Sequence, residues 1–510
     1  MAGDQPAPSG PDLAQGIALA DLPDGGKLAG HLGEDQILLL RRGAEIFAIS
    51  ASCTHYSGPL AEGLLVGDMI RCPWHHAGFD IRSGEALRAP ALSPLGCWAV
   101  EQRSGKVFVT GKRASAPSAL EAVGEAPAKA PDRIVIIGGG AAGFAAAERL
   151  RRARYQGSIV MLSDDSAAPV DRPNLSKDYL AGNAPEEWVP LRPDDWYKEN
   201  GIELRLGAKA TGIDKRGRAV ELGDGTKLAY DRLLLATGAE PVRVSFPGAE
   251  KAYLLRSLAD SRAIIAAAAN ARRAAVLGAS FIGLEVAASL INRKIEVHVV
   301  APEKRPMERV LGPEMGDFIR RLHDEKGVVF HLEDKTAAIE GKKLRLESGG
   351  MLDVDLVVMG VGVRPRTQLA EQAGLKLDKG VSVDAYLETS EPGIFAAGDI
   401  ARWPDPLSGA AIRVEHWVVA ERQGQTAALN MLGHREKFTS VPFFWSQHYD
   451  VPIKYVGHAE SWDENAVEGD IAGKDCLLRY KQKGRVLAAA SIYRDLDSLK
   501  VEAELERVSA

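Results

Sequence analysis

Two of the four cysteines in this chain are each followed closely by a histidine: Cys53-x-His55 and then, beyond residues 56 to 71, Cys72-x-x-His75. A pair of thiolates with a pair of imidazoles is a four-ligand set. It suits either a tetrahedral zinc ion or a two-iron cluster whose second iron takes His in place of Cys. The remaining cysteines, Cys97 and Cys476, lie far apart, so the chain carries no disulfide framework.

Two glycine-rich turns supply a second chemistry. In "RIVIIGGGAAGFAAAERLRR" an apolar strand over 134–137 runs into Gly138-x-Gly140-x-x-Gly143, with Ala142 inside the turn and an Ala-rich helix following. Gly138 makes the tight turn, Gly140 lets the backbone approach a pyrophosphate, and the helix N-terminus aims its N–H groups at that charge. The next strand, "SIVMLSDD", ends at Asp164, about 20 residues past the last glycine, where a carboxylate can hold a ribose hydroxyl. The second turn is "AAVLGASFIGLEVAASL", with Gly278, Ser280 and Gly283 at the three glycine positions and Phe281 and Ile282 between them. Ser280 replaces the middle glycine. At the end of the following strand, "IEVHVVAPEKRP", Ala301 stands where an acid is usual and Glu303 is the nearest carboxylate. Lys304 and Arg305 beside it leave room for a 2′-phosphate, so NADH is the expected nicotinamide and NADPH the alternative. Two nucleotide sites point to one bound flavin and one exchanging nicotinamide.

From about residue 132 the chain resembles the flavoprotein reductases that include ferredoxin reductases of oxygenase systems and apoptosis-inducing factor. The stretches that carry the resemblance are "GGGAAGFAAAERLR", "DRPNLSKDYL", "LLLATGAEP", "GASFIGLEVA", "VMGVGVRPRTQL" and "EPGIFAAGDIA", which cover most of 133–440. The resemblance implies that Asp164 binds the FAD ribose, that Arg172 and Lys177 lie along the flavin, and that Thr237 and Gly238 touch FAD. It further implies that Asp399 meets the ribityl-phosphate part and Trp445 lies near the isoalloxazine. Gly362 of "VMGVGV" is counted among the cofactor-binding residues. Glu285 is expected to pair with Lys177 beside the flavin, and these two are the expected catalytic residues. Disulfide reductases of related architecture place a Cys-x-x-x-x-Cys beside the flavin, but this chain has no cysteine between Cys97 and Cys476. Electrons therefore need another exit.

The opening ligand set resembles the Rieske [2Fe-2S] signature, including "PLAEG" after the first pair and "CPWH" in the second. Zinc is disfavoured because zinc fingers place separated Cys-x-x-Cys and His-x-x-x-His pairs around a helix rather than in two Gly- and Pro-bounded loops. Cys53, His55, Cys72 and His75 are then the cluster ligands. Ser57 and His76 stand where such ferredoxins often have Gly, and His76 is a competing imidazole that the spacing disfavours. In high-potential Rieske proteins a disulfide joins the loops and hydroxyls donate to the cluster sulfurs; here Ser57 and Trp74, and Ala77 and Phe79, occupy those places. A potential at the low end of the Rieske range, roughly −150 mV, is expected.

These sites need elements to hold them. Residues 1–112 read as short turn-rich strands, such as the hairpin "CWAVEQRSGKVFVTG" across Ser104 and Gly105, and form an all-β Rieske domain. Residues 113–131 form an Ala/Pro-rich linker. Two βαβ beginnings follow, expected as α/β Rossmann-like domains: an FAD domain over 132–245 and 366–440, and an NAD(P)H domain over 246–365. A small α+β domain with little helix closes the chain over 441–510. At 510 residues, 45% hydrophobic and 26% charged, the chain is an ordinary multidomain globular protein. Its net charge of -6 argues against nucleic acid or anionic membrane as partner. No leader or membrane-spanning run is legible, so a cytoplasmic location is expected; a homodimer is left open.

The expected function is an NAD(P)H-dependent flavoprotein reductase that passes electrons from NADH through FAD to its own cluster. A protein acceptor not identified by the sequence, such as an oxygenase or heme monooxygenase, would follow. The alternative is an NADH-responsive redox sensor with incidental turnover.

Overall fold

The computed structural model describes residues 9–113 and 130–509. Residues 114–129, nearly all of the expected linker, lie outside the described residues. The chain divides into two compact units, described separately.

The first unit holds the N-terminal β module, Arg152–Arg154 and Asp495–Val508. Its larger sheet has six strands, with the hairpin Cys97–Arg103 and Lys106–Arg113 pairing antiparallel across Ser104 and Gly105 as the turn residues predict. A second, four-stranded antiparallel sheet runs from Leu64–Val66 to Ala86–Arg88. The loop after Ser52 carries Cys53 and His55, and the turn between strands Met69–Arg71 and Gly78–Asp80 carries Cys72 and His75. Leu38, Leu40, Ile49, Leu60, Ile70 and Phe79 pack beneath both thiols.

The 15-residue helix Asp495–Ser509 departs from the expectation of little helix at the C-terminus. Its inner face buries Leu499, Val501 and Leu505, but also Glu502, which is fully buried. A carboxylate on the covered face breaks the apolar repeat by which a helix is recognised in sequence.

In the second unit a five-stranded parallel sheet has the strand Arg133–Ile137 at its centre, flanked by Ser158–Leu162 and Arg232–Leu235. A four-stranded parallel sheet repeats the plan around Arg273–Leu277. Each Gly-rich turn leaves the C-terminal end of its central strand and enters a helix, Ala141–Arg152 or Phe281–Asn292. A five-stranded antiparallel sheet begins with Phe443–His448 and ends in sequence with Arg485–Ile492. Among the described residues no helix is long and apolar enough to cross a membrane.

Candidate redox sites

The cluster loops are built alike. Cys53 N–H donates to Gly58 O at 2.9 Å and Ser57 N–H to Cys53 O at 2.9 Å; Cys72 N–H donates to Ala77 O at 2.8 Å and His76 N–H to Cys72 O at 3.2 Å. Each loop therefore turns through one left-handed residue, Ser57 (φ 59) in the first and His76 (φ 59) in the second. That explains why glycine is common at both places in such loops. The turns put Nδ1 of His55 and Nδ1 of His75 3.2 Å apart. Two ring nitrogens about 2.1 Å from one tetrahedral metal would sit about 3.4 Å apart, so this pair fits one iron.

The thiols form the other pair. The Cys53 thiol is pushed up first by its hydrogen bond with Cys72 and then by burial; two thiolates there require a cation between them. Among the described residues no three His, Cys, Asp or Glu side chains close on a single ion. The donors instead divide into a sulfur pair and a nitrogen pair, as a two-iron cluster with mixed ligands demands.

His76 is not part of the nitrogen pair. It is fully buried, with Nδ1 3.0 Å from Glu502 Oε2 and Nε2 3.3 Å from Ser498 Oγ on the C-terminal helix. Arg88 reaches Glu502 at 3.0 Å and Glu506 at 2.6 Å, and Arg71 reaches them at 3.4 and 2.6 Å.

In the second unit the two Gly-rich turns open onto one cavity of about 840 Å³, within the range of small-molecule and cofactor sites. Gly138 has φ 123, and a Cβ there would lie 2.0 Å from Ala236 O; a Cβ on Gly143 would lie 1.9 Å from Gly138 O. Only glycine permits this turn. Ser280 keeps an ordinary φ of −85° as the N-cap, its Oγ accepting from Gly283 N–H at 3.3 Å and donating to Gly360 O at 2.6 Å. The hydroxyl caps the helix, which accounts for its replacement of the middle glycine.

Of the site residues expected from the sequence, Gly140, Ala142, Arg172, Lys177, Gly238, Ser280, Phe281, Ile282, Glu285, Gly362, Asp399 and Trp445 line this cavity. Gly138, Gly143, Gly278 and Gly283 form the turns behind it. Thr237 stands at its edge, with Oγ1 donating to Arg366 O at 2.9 Å. Asp164 lies outside the lining, about half exposed, and pairs with Arg366 at 2.9 Å. Glu303 is exposed and also outside. Arg305, considered for a 2′-phosphate, is held by Asp317 at 2.8 Å and Glu308 at 3.3 Å.

The cavity is electrostatically prepared for an anion. Arg172 is pushed down to about 10 by burial and by the neighbouring Arg256, and Arg256 pairs with Asp399 at 2.7 Å. Two crowded guanidiniums beside a helix N-terminus fit a pyrophosphate. Deeper in, Lys177 and Glu285, 108 residues apart, meet at 2.9 Å. Ser176 Oγ and Ser446 Oγ each donate to the same carboxylate at 2.6 Å. Lys177 Nζ also lies 6.0 Å from the Trp445 ring centroid.

Sequence reasoning missed Arg256 and His416, both on the cavity wall. His416 stacks on Phe444 at 4.4 Å and is pushed down to about 3, chiefly by burial. It precedes the helix Trp417–Met431, and a lone "EHW" in sequence carries no motif.

Parallel Rossmann-like sheets, a nucleotide cavity and a separate two-Cys, two-His loop pair define a pyridine-nucleotide flavoprotein oxidoreductase carrying a Rieske domain. Comparison with known proteins bears this out. The Pyridine nucleotide-disulphide oxidoreductase family matches residues 132–424, the Rieske [2Fe-2S] domain residues 16–99, and the Reductase C-terminal family residues 443–507. The chain belongs to the pyridine nucleotide-disulphide oxidoreductase family, with FAD, NADH and a [2Fe-2S] cluster as its cofactors. It is 31% identical to Apoptosis-inducing factor 3 of Homo sapiens over 509 residues, covering 96% of this chain and 84% of that protein. It is 38% identical to the Anthranilate 1,2-dioxygenase system ferredoxin--NAD(+) reductase component of Burkholderia cepacia, covering 71% of this chain and 91% of that one. Among solved structures, the covalent putidaredoxin reductase-putidaredoxin complex is similar with a TM-score of 0.72 and 34% identity, over 74% of this chain and 94% of that one.

Proposed function

We propose that this reductase delivers single electrons, through its own Rieske cluster, to a protein acceptor such as an oxygenase or heme monooxygenase. The observation that carries the reading is the exposed aromatic rim beside the half-buried pair His55 and His75. Tyr56, 40% exposed, stacks on His55, and Trp74, 38% exposed, precedes His75. Exposed aromatics around a redox edge are what a transient protein partner would bury. The ferredoxin reductase component from Burkholderia cepacia, named for a dioxygenase system, supports the same class of acceptor.

Bound flavin supplies the exchange between a two-electron hydride donor and one-electron acceptors. The chain's residues prepare that exchange. Arg172, Arg256 and the helix at Ala141 would hold the pyrophosphate, with Asp399 alongside. Lys177 would place its ammonium where negative charge builds on reduction, and Glu285 would keep it there. Ala77 and Phe79, both fully buried, put no hydroxyl at the cluster, in keeping with a low potential. No disulfide joins any of the four cysteines, which supports a cytoplasmic setting.

Steady-state assay with NADH and a one-electron dye tests the reading. Sustained turnover supports a reductase. A single reduction that then stalls would favour the sensing alternative.

A further inference from the structure

A line of hydrogen-bonding side chains leads away from Glu285 through the interior of the second unit. Ser446 Oγ is 2.6 Å from Glu285 Oε1, and His448 Nε2 is 3.2 Å from Ser446 Oγ. His448 Nδ1 is 3.1 Å from His323 Nε2, and His323 Nδ1 is 3.1 Å from Tyr449 Oη. Ser446, His448 and His323 are at most 1% exposed, whereas Tyr449 is part-exposed. Three elements build this line. Ser446 and His448 are alternate residues of the strand Phe443–His448 and so share a face. His323 comes from the helix Glu308–Asp324. Tyr449 sits in the tight turn to Val451–Gly457 with φ 58, a conformation that a bulky aromatic residue rarely adopts. That strained backbone directs its hydroxyl to His323.

The chemistry asks for such a line. NADH gives up two electrons and one proton as a hydride. One-electron acceptors take the electrons only, so for each NADH oxidised one proton must reach solvent. We propose that Ser446, His448, His323 and Tyr449 are a proton relay between Glu285 and solvent, carrying one proton per NADH. The proposal rests on the reading that Lys177 and Glu285 serve the reacting centre.

The balance closes on named atoms. With Glu285 as a carboxylate, Ser446 donates to it and His448 donates from Nε2 to Ser446. His323 donates from Nε2 to His448 Nδ1, and Tyr449 donates to His323 Nδ1. Each imidazole is then neutral, with one donor and one acceptor. Once Glu285 has taken up a proton the line must turn before it conducts outward: the hydroxyls of Ser446 and Tyr449 rotate, and each imidazole ring flips so that its N–H, unbroken, points towards Tyr449 and its lone pair towards Glu285. Passing it outward breaks and forms one O–H or N–H bond at each member, releases a proton from Tyr449 to water, and restores the first arrangement. A charged imidazole would have two donors and block the line. Burial keeps both rings neutral: His448 is pushed down to about 3 by burial and then by Lys177, and His323 well below its usual value by burial and then by His448.

The test separates proton movement from electron movement in the holoprotein. Protein reduced anaerobically with stoichiometric NADH is mixed with ferricyanide in weak buffer containing a pH-indicator dye. The flavin band and the dye are followed together. In the parent, proton release keeps pace with reoxidation. In Ser446→Ala, and independently in Tyr449→Phe, release should lag by about a hundredfold, with a larger slowing in deuterated water, while Ser446→Thr restores it. NADH binding and flavin content should stay unchanged. Histidine 15N NMR of the full chain should find His323 and His448 neutral and Nε2-protonated at neutral pH. Release that keeps pace in both variants overturns the relay, as does a charged ring or a lag that tracks flavin loss. Failure of NADH to reduce the parent's flavin would instead reject the underlying reading of Lys177 and Glu285.

Discussion

Removing the ammonium of Lys177 tests the proposed hydride-accepting site where its geometry is most specific. Lys177 is 15% exposed at its side chain and Glu285 2%, so the ion pair is largely screened from water. The carboxylate keeps two hydroxyl donors, Ser176 and Ser446, when the charged donor is lost. Glu285 is therefore not left bare, and the loss is that of one desolvated charge contact, about 1.5 to 3 kcal/mol. If that contact acts where negative charge builds on reduction, Lys177→Met should slow flavin reduction by about tenfold to 150-fold. Glu285→Gln, which releases the lysine from its position, should slow the same step. The double variant should be hardly slower than the worse single one, because the two side chains act as a unit. Stopped-flow reduction by NADH, followed at the flavin band, measures all three. Effects that multiply, or a Lys177→Met protein as fast as the parent, would refute the pairing as a functional unit and leave it a structural ion pair.

Other consequences follow from packing and charge. A Cβ on Gly58 would lie 2.7 Å from Cys72 Sγ, so Gly58→Ala should lower iron content sharply while flavin content, set in the other unit, holds; full iron occupancy would show that the loop yields. Glu502 is buried among His76, Arg71 and Arg88, and Glu502→Leu should destabilise the first unit by about 3 to 5 kcal/mol, since breaking a buried pair leaves its partners uncompensated; denaturant unfolding reads this, and an unchanged midpoint would count against the network. His416 is neutral in the fold and pushed down to about 3, while the unfolded chain protonates it near its usual pKa of about 6.5. Below that pH the unfolded state binds more protons, so stability falls as pH falls toward the folded value. Glu415 and Glu421, raised by burial, oppose the trend but are common to both chains when parent and His416→Gln are compared. The variant's stability should decline less steeply below about pH 6.5, by up to about 1.4 kcal/mol per pH unit; parallel curves would mean that His416 titrates normally.

How much of this could be read in the sequence depends on whether a function is encoded locally. The two Gly-rich turns were legible because a phosphate-binding turn needs its glycines at fixed offsets from a strand and a helix. The candidate cluster ligands were legible because each loop supplies two of them within a few residues. The partnership of Lys177 with Glu285 came only through family resemblance, since nothing local to either residue points to the other. Arg256, His416 and the line from Ser446 to Tyr449 were not legible: each becomes chemical only when strands and helices distant in sequence converge. The placement of the last helix with the N-terminal module was hidden for the opposite reason. Its anchoring residue, Glu502, is a charge at a buried position, where hydropathy patterns look for an apolar side chain.

Anaerobic titration of the holoprotein with NADH, followed at the flavin band and by EPR of the reduced cluster, tests the central claim most directly. Stepwise NADH should bleach the flavin and bring up the signal of a reduced two-iron cluster with mixed Cys and His ligands. In Cys72→Ser the flavin should still bleach, with no cluster signal. A parent protein whose flavin bleaches fully while an intact cluster stays oxidised would contradict the account, because the electrons would then not reach the Rieske site.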